Sequence, residues 1–276
     1  MKSIVFSFSL MFVLAGAFGQ AKLTPGSKFT LTQESKINTT TSMMGTDMLI
    51  ESTNTLYVEI EIKTLVNDST LVINGTVKRI TGHFSVMGQD QNFDSDDKST
   101  ATSPQLAPLL KNLNKQEEFT IINGKIKGTG NQMDDAMGAV AQALTGGGGA
   151  SASGFVGQLF VPLAAKNKNL GDKWTTDEKS SDGNMKMVSI FTITKLTGDE
   201  IEITANVGTS FVGSIHVMEM DMKQNMSGIT TSVFTYNQKT GVLKAGNSTI
   251  SSNGTAEVMG NSLPMNIKGT TTVSVQ

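Results

Sequence analysis

The sequence has no cysteine, and among its 276 residues only 2 are histidine, 5 proline and 1 tryptophan. Without cysteine there can be no disulfide, no thiol nucleophile and no thiolate metal site. With His83 and His216 as the only imidazoles, a structural zinc site of the usual ligand set is excluded as well. Charge is also scarce: 17% of residues are charged and the net charge is -2. Removing Lys2 with the leader described below makes the chain one unit more negative. A broad electrostatic grip on nucleic acid is therefore excluded, and charge alone does not predict adhesion to an anionic membrane. No cofactor is expected. A chain exported without disulfides must bury enough apolar surface by itself, and this length suffices for one large β domain or two halves.

The one long apolar run comes first, MKSIVFSFSLMFVLAGAFGQA. A positive start, an apolar stretch from Ile4 to Leu14 and the small residues Ala17 and Gly19 mark residues 1–19 as a secretory signal peptide. The preferred cut follows Gly19, with Ala21 as the alternative. No cysteine follows to carry a lipoprotein anchor, and no later segment reaches the ~20 apolar residues of a membrane helix. The mature chain is thus expected to be exported, soluble and periplasmic or extracellular, with no transmembrane segment.

From residue 20 to 276 the pattern is mainly β. LYVEIEI, Leu56 to Ile62, alternates apolar and polar residues with the period of two of a half-buried strand. Similar runs occupy 29–37, 185–196, 201–207, 229–236 and 267–275. Asn74-Gly75, Asn123-Gly124 and Asn253-Gly254 carry the strongest short-range hairpin signal, and Tyr236 to Leu243 reads as a longer turn. Two stretches break the alternation. PQLAPLLKNLN at 104–114 places Leu106, Leu109 and Leu110 at helical spacing after a proline. NQMDDAMGAVAQAL at 131–144 does the same behind Asn131, a residue suited to capping, and a glycine-rich run follows to residue 154. A faint echo links PGSKF, Pro25 to Phe29, with LGDKW, Leu170 to Trp174. The chain therefore reads as a single β-rich domain that divides into two related halves, 22–130 and 155–276, joined by the helix and glycine-rich linker at 131–154. The expected architecture is a strongly curved antiparallel sheet or incomplete barrel with helices on its concave side.

No catalytic constellation is legible. Neither histidine stands in a nucleophile-elbow pattern, and Asp94-Ser95-Asp96-Asp97 lacks the glycine and glutamate of a calcium loop. Gly146 to Gly149 lacks the Lys-Ser/Thr of a phosphate-binding loop. The unusual feature is HVMEMDMKQNM, His216 to Met226, with methionines at every second position. Read as one strand, it places His216, Met218, Met220 and Met222 on a single face. Three readings compete: ordinary core packing, an apolar groove lined by adaptable thioethers, and a soft copper site. Same-face neighbours on a strand stand ~6.7 Å apart, which counts against three converging on one ion.

LTPGSKF at 23–29, FDSD at 93–96, FTIINGKI at 119–126, Val161-Pro162-Leu163, LGDKW at 170–174 and the turn at 236–243 occur in that order. Together they resemble an uncharacterised family of bacterial envelope proteins, many of them lipoproteins, known as a domain of unknown function. The resemblance supplies no catalytic residues, and this chain lacks the anchoring cysteine of the lipoprotein members. The strand and helix plan is also similar to the open barrels of periplasmic lipoprotein and lipid carriers. With the methionine-rich strands, the expected role is a non-enzymatic envelope protein that binds an apolar or amphiphilic, lipid-like ligand by burial against Met, Leu, Ile and Phe; the carrier likeness is one of fold. The candidate lining is Met185, Met187, Met218, Met220 and Met222, with Leu106, Leu109 and Leu110 as a plug. The alternative is a structural or interaction protein of the envelope with a filled core and a protein partner.

Overall fold

The structure is a computed structural model that describes residues 23–43, 46–67, 70–86, 88–98, 110, 113–123, 125–127, 158–161, 165, 169–179, 183–217, 220–258 and 260–276. Twelve strands account for most of them: β1 (Lys28–Met43), β2 (Thr46–Asn67), β3 (Thr70–Val86), β4 (Gln89–Asp94), β5 (Gln116–Ile122), β6 (Lys125–Lys127), β7 (Lys173–Lys179), β8 (Met185–Leu196), β9 (Glu200–Val217), β10 (Met220–Asn237), β11 (Leu243–Val258) and β12 (Asn261–Val275). All pair antiparallel in one sheet, in the order β6-β5-β3-β2-β1-β12-β11-β10-β9-β8-β7, with β4 also on β3. The chain is thus a meander on either side of a seam where β1 meets β12. The sheet is not closed: among the described residues β6 pairs only with β5 and β7 only with β8. No helical element is defined among the described residues. The expected helix at 131–144, the glycine-rich run, and Leu106 and Leu109 of the first helix lie outside them.

The strands form because their sequences alternate, and the alternation gives each strand one wet and one dry face. Val58, Ile60 and Ile62 of β2 are fully buried between outward-facing Glu59, Glu61 and Lys63. One buried cluster contains Ile73, Phe119 and Ile121 together with Ile193, Ile201 and Ile203. On a flat sheet β5 and β8 would lie about 38 Å apart at about 4.8 Å per strand, so the sheet must curl until its two wings share a core. Leu159, Phe160 and Ala165 are buried in the same cluster, and Leu159 and Val161 bond to the backbone of Leu243 and Gly241 at 2.8 Å. Leu110 and Leu113 pack against it. Each buried isoleucine or phenylalanine contributes about 1.5–3 kcal/mol.

Three bulges lie at one level of the curl. Lys78 of β3, Thr194 of β8 and Lys244 of β11 are each skipped in the pairing. Val77 and Ile80, Ile193 and Leu196, and Leu243 and Gly246 can then all take inward positions. An extra residue bends its strand and sharpens the local twist, so three at one height bend the sheet together.

Two of the expected asparagine-glycine turns are corrected. Asn74 lies inside β3 between Glu61 and Glu118, and Asn253 lies inside β11 between Ser227 and Asn266. Pairing on both sides overrides the local turn preference. Asn123, with φ 55°, does link β5 and β6, and the turn after Tyr236 is formed, with Gly241 N bonded to Asn237 O at 2.8 Å. The two echoing motifs make like turns: Gly26 N bonds to Ile62 O at 2.7 Å, and Gly171 N to Ile193 O at 2.8 Å.

Outside the curl, Glu200 joins two strands. Its carboxylate accepts from Lys244 Nζ at 2.6 Å and Lys195 Nζ at 2.9 Å. These two ammonium groups pull the Glu200 carboxyl down to about 2, against an ordinary value of about 4.3. A depressed folded-state value stabilises the fold above the unfolded value and loses that contribution as pH falls through the folded one. Melting temperatures of wild type and Glu200→Gln are therefore expected to differ most above pH 5 and to converge near pH 2.

Candidate functional site

The segment HVMEMDM is not one strand. β9 ends at Val217 and β10 begins at Met220, with Met220 opposite Val217, Asp221 opposite His216 and Met222 opposite Ile215. The chain reverses between them, and the alternation reads through the reversal because no Gly or Asn marks it. Met218 lies outside the described residues, and for Met220 and Met222 the backbone register is what is described. Met185 and Met187 stand on β8, opposite Phe211 and Thr209 of β9. Met185 is 3% exposed and Met187 is half-buried.

The methionines gather across strands instead of along one. Met48 of β2 faces Thr41 of β1, Thr41 faces Met265 of β12, Met265 faces Gly254 of β11, Gly254 faces Met226 of β10, Met226 faces Phe211 of β9, and Phe211 faces Met185. Partners directly across a ladder share a face, so four thioethers and a phenyl ring form one lateral row on the inner side. Met226, 5% exposed, is buried with Ile37 and Ile267, and Phe211, Ile250 and Met265 pack around them. Gly254 makes this fit: an added Cβ would stand 2.7 Å from Met226 Sδ and 2.0 Å from Asn225 O. The Met226 sulfur thus lies over the glycine, towards Met265. Sequence reading named Met185 for this row and missed Met48, Met226, Met265 and Phe211, which only register brings together.

Six residues from this row along β1, β10 and β11 runs a second row, of hydroxyls. Asn54, Ser35, Thr271, Ser248 and Ser232 are successive partners across β2, β1, β12, β11 and β10, and the row continues through Ala205 and Phe191 to Trp174. Ser35 and Thr271 share a hydrogen bond of 3.1 Å, Gln33 Nε2 donates to Ser35 at 3.3 Å, and Ser248 donates to Ser232 at 2.8 Å. Trp174 stacks on Phe191, with ring centroids 5.1 Å apart. No inward position of β1, β2, β3 or β8 to β12 carries a charge among the described residues. The charges of these strands face outward, as with Glu34, Lys36, Lys186, Glu202, Lys223 and Lys268. The charges thus lie on the outer side of the sheet, where a membrane-spanning barrel carries an apolar band.

A trough of about 520 Å³ is lined by outward-facing residues such as Glu34, Lys36, Thr53, His83 and Asp94, and also by Ser35, Asn54, Gly82 and Phe93. Beside it Arg79 forks onto Asp94 at 2.5 and 3.1 Å, reaches Asp96 at 3.2 Å and lies 5.8 Å from the Tyr57 ring. The hydrogen bond to Arg79 holds the Asp94 carboxyl below its ordinary value. The acidic run is therefore an arginine clamp at the end of β4. His83 lies 3.0 Å from Asn92 Oδ1 and 3.8 Å from Asp90. No group of three or more His, Asp or Glu residues could hold a metal among the described residues. The methionine row contains no histidine.

A family of unknown function (DUF6263) matches residues 124–243. No curated protein matches the chain in sequence. Among solved structures, one describing lipid–protein interactions in lipovitellin matches with a TM-score of 0.53 at 9% identity, covering 92% of this chain and 25% of that one. The chain thus spans about a quarter of the length of that protein. An outer membrane channel from Pseudomonas putida F1 matches with a TM-score of 0.30 at 9% identity over 95% of this chain and 98% of that one. Salmonella typhi OmpF in complex with daunomycin matches with a TM-score of 0.27 at 8% identity, over 91% and 98%. At these identities the lipovitellin likeness is one of fold.

Two glycine substitutions test the packing of the methionine row. Gly254→Ala pushes on Met226 and on the β10 backbone and is expected to cost about 1–3 kcal/mol in urea unfolding. Gly208→Ala, where an added Cβ meets nothing nearer than 3.9 Å, is expected to be neutral or to stabilise by up to about 1 kcal/mol.

Proposed function

We propose that the protein is a non-enzymatic, exported envelope protein that binds an apolar or amphiphilic, lipid-like ligand on the inner face of its open sheet, against the methionine row. The observation that carries this reading is the lateral convergence of Met48, Met265, Met226 and Met185 with Phe211 on a face without charge. Thioether side chains adapt to ligands of varied shape because they are unbranched, polarizable and rich in rotamers. Met48 and Met265 are half-buried, so the row has a rim as well as a packed centre. The gap between β6 and β7 is the natural entrance. A fold shared with a protein described for its lipid–protein interactions is in keeping with this reading, and so is the signal peptide read at residues 1–19. Leu110, packed on the large cluster, is the described member of the leucine plug.

The test is native mass spectrometry of the mature protein recovered from its own envelope without detergent, followed by solvent extraction. A stoichiometric adduct that passes into the organic phase is expected. Met265→Gln is expected to lower its occupancy severalfold while costing less than about 1 kcal/mol in urea unfolding. A bare polypeptide mass, or equal losses of occupancy and stability, would return the methionines to plain core packing.

A second reading rests on a different observation. Val188, Ile190, Ile229 and Val233 lie exposed on the outer face of β8 and β10, from 37% to 63%, with Gly208 between Val188 and Ile229. Such a patch suits an interaction protein with a filled core. Ile229→Lys is then expected to abolish association with an envelope partner and to leave the midpoint of urea unfolding unchanged.

A further inference from the structure

We infer that the polar end of the ligand is uncharged, a hydroxylated or ester-linked neutral lipid such as a monoglyceride, and that it lies at the hydroxyl row with its chain running to the methionine row. This rests on the carrier reading above and narrows it to one ligand class.

Three observations point the same way. The first is distance. Six residues separate Ser35 from Thr41, Ser232 from Met226 and Ser248 from Gly254, so the two rows lie about 20 Å apart at about 3.3 Å per residue. That is the length of an extended long acyl chain. The surface between them is uncharged and mixes apolar and hydroxyl side chains on its inner side, with Ile37, Gly269, Ile250, Thr230 and Val207 in one lateral step and Thr39, Ile267, Ser252 and Gly228 in the next.

The second is hydrogen-bonding capacity. A serine or threonine hydroxyl has one donor and two acceptor sites. Ser248 spends its proton on Ser232, which leaves Ser232 its own proton to donate. Ser35 and Thr271 share one proton between two oxygens, so one of that pair also keeps a donor. The row thus presents donors and acceptors together across adjacent strands, as an alcohol or ester requires.

The third is the sign of the surroundings. A buried carboxylate, phosphate or ammonium needs a partner of opposite charge. The inner faces of β1 to β3 and β8 to β12 offer none among the described residues. The inward charges nearest to hand are Glu178 on β7, opposite Met187, and Glu117 on β5, opposite Gly75.

The experiment uses the delipidated mature protein loaded with the neutral fluorophore N-phenyl-1-naphthylamine, displaced at pH 8 by three ligands of equal chain length below their micelle concentrations. These are 1-palmitoylglycerol, palmitate and hexadecylamine. The monoglyceride is expected to displace the probe at about tenfold lower concentration than either charged ligand. In the double variant Ser232→Ala with Ser248→Ala, probe binding is expected to persist, which shows the fold intact. The advantage of the monoglyceride is expected to fall severalfold there. Palmitate or hexadecylamine competing equally well would overturn the neutral-lipid inference and leave the carrier reading standing. A protein that binds neither the probe nor any of the three would overturn the carrier reading, and the inference with it.

Discussion

Everything in this structure depends on keeping one phase of alternation across a dozen strands. A strand has a period of two, so a slip of one residue turns every inward side chain outward. In β1 a slip would exchange Leu31, Ser35 and Ile37 for Thr32, Glu34 and Lys36, and would bury two charges without partners. The penalty for unpaired buried charge therefore fixes register over strands of up to 22 residues more firmly than any turn does. Where the phase must change, at the curl, the chain inserts single extra residues, two of which are lysines that remain in water.

That constraint also explains which features could be read in the sequence. LYVEIEI and the runs at 185–196, 201–207, 229–236 and 267–275 announced strands because each carries its own alternation, and all lie within strands. The mainly antiparallel, unclosed sheet follows from them. Asn74-Gly75 and Asn253-Gly254 misled because a turn preference is local and worth little beside two ladders of hydrogen bonds. His216 to Met222 misled for the opposite reason: the alternation crosses a reversal that no turn residue marks. The methionine row was least legible of all. Residues 48, 185, 226 and 265 become neighbours only through six pairings in series, and no spacing along the chain records that. Met185 belongs to the row, while Met187 stands one step inward.

The inner face is graded rather than uniform. At one end the sheet curls over a dense aliphatic cluster, at the other sulfur and phenyl groups meet, and a band of small hydroxyls lies between them. Water on the outside and a graded dry interior suit the accommodation of a molecule that is itself graded from polar to apolar. Hydroxyls bonded to one another inside the sheet avoid the cost of lone buried polar groups, so the band is compatible with an empty interior as well as a filled one. The trough beside the arginine clamp has the mixed signs of a solvated face, and Ser35 and Asn54 of the hydroxyl band also line it.

The meander is joined where its first and last strands meet and is open at its middle. Ser35 and Thr271, bonded across that join, are 236 residues apart in sequence. During synthesis from the N-terminus, β1 to β6 can pair among themselves, but one edge of β1 must wait until β12 exists. Contacts of such sequence separation form slowly because loop closure precedes any gain from pairing, and an unpaired strand edge invites the wrong neighbour meanwhile. The N-terminal wing therefore spends the longest time half-finished. That edge of β1 is dressed with Thr32, Glu34 and Lys36 on its outer side, and charged side chains on a strand edge discourage a stray strand from pairing before the proper one arrives.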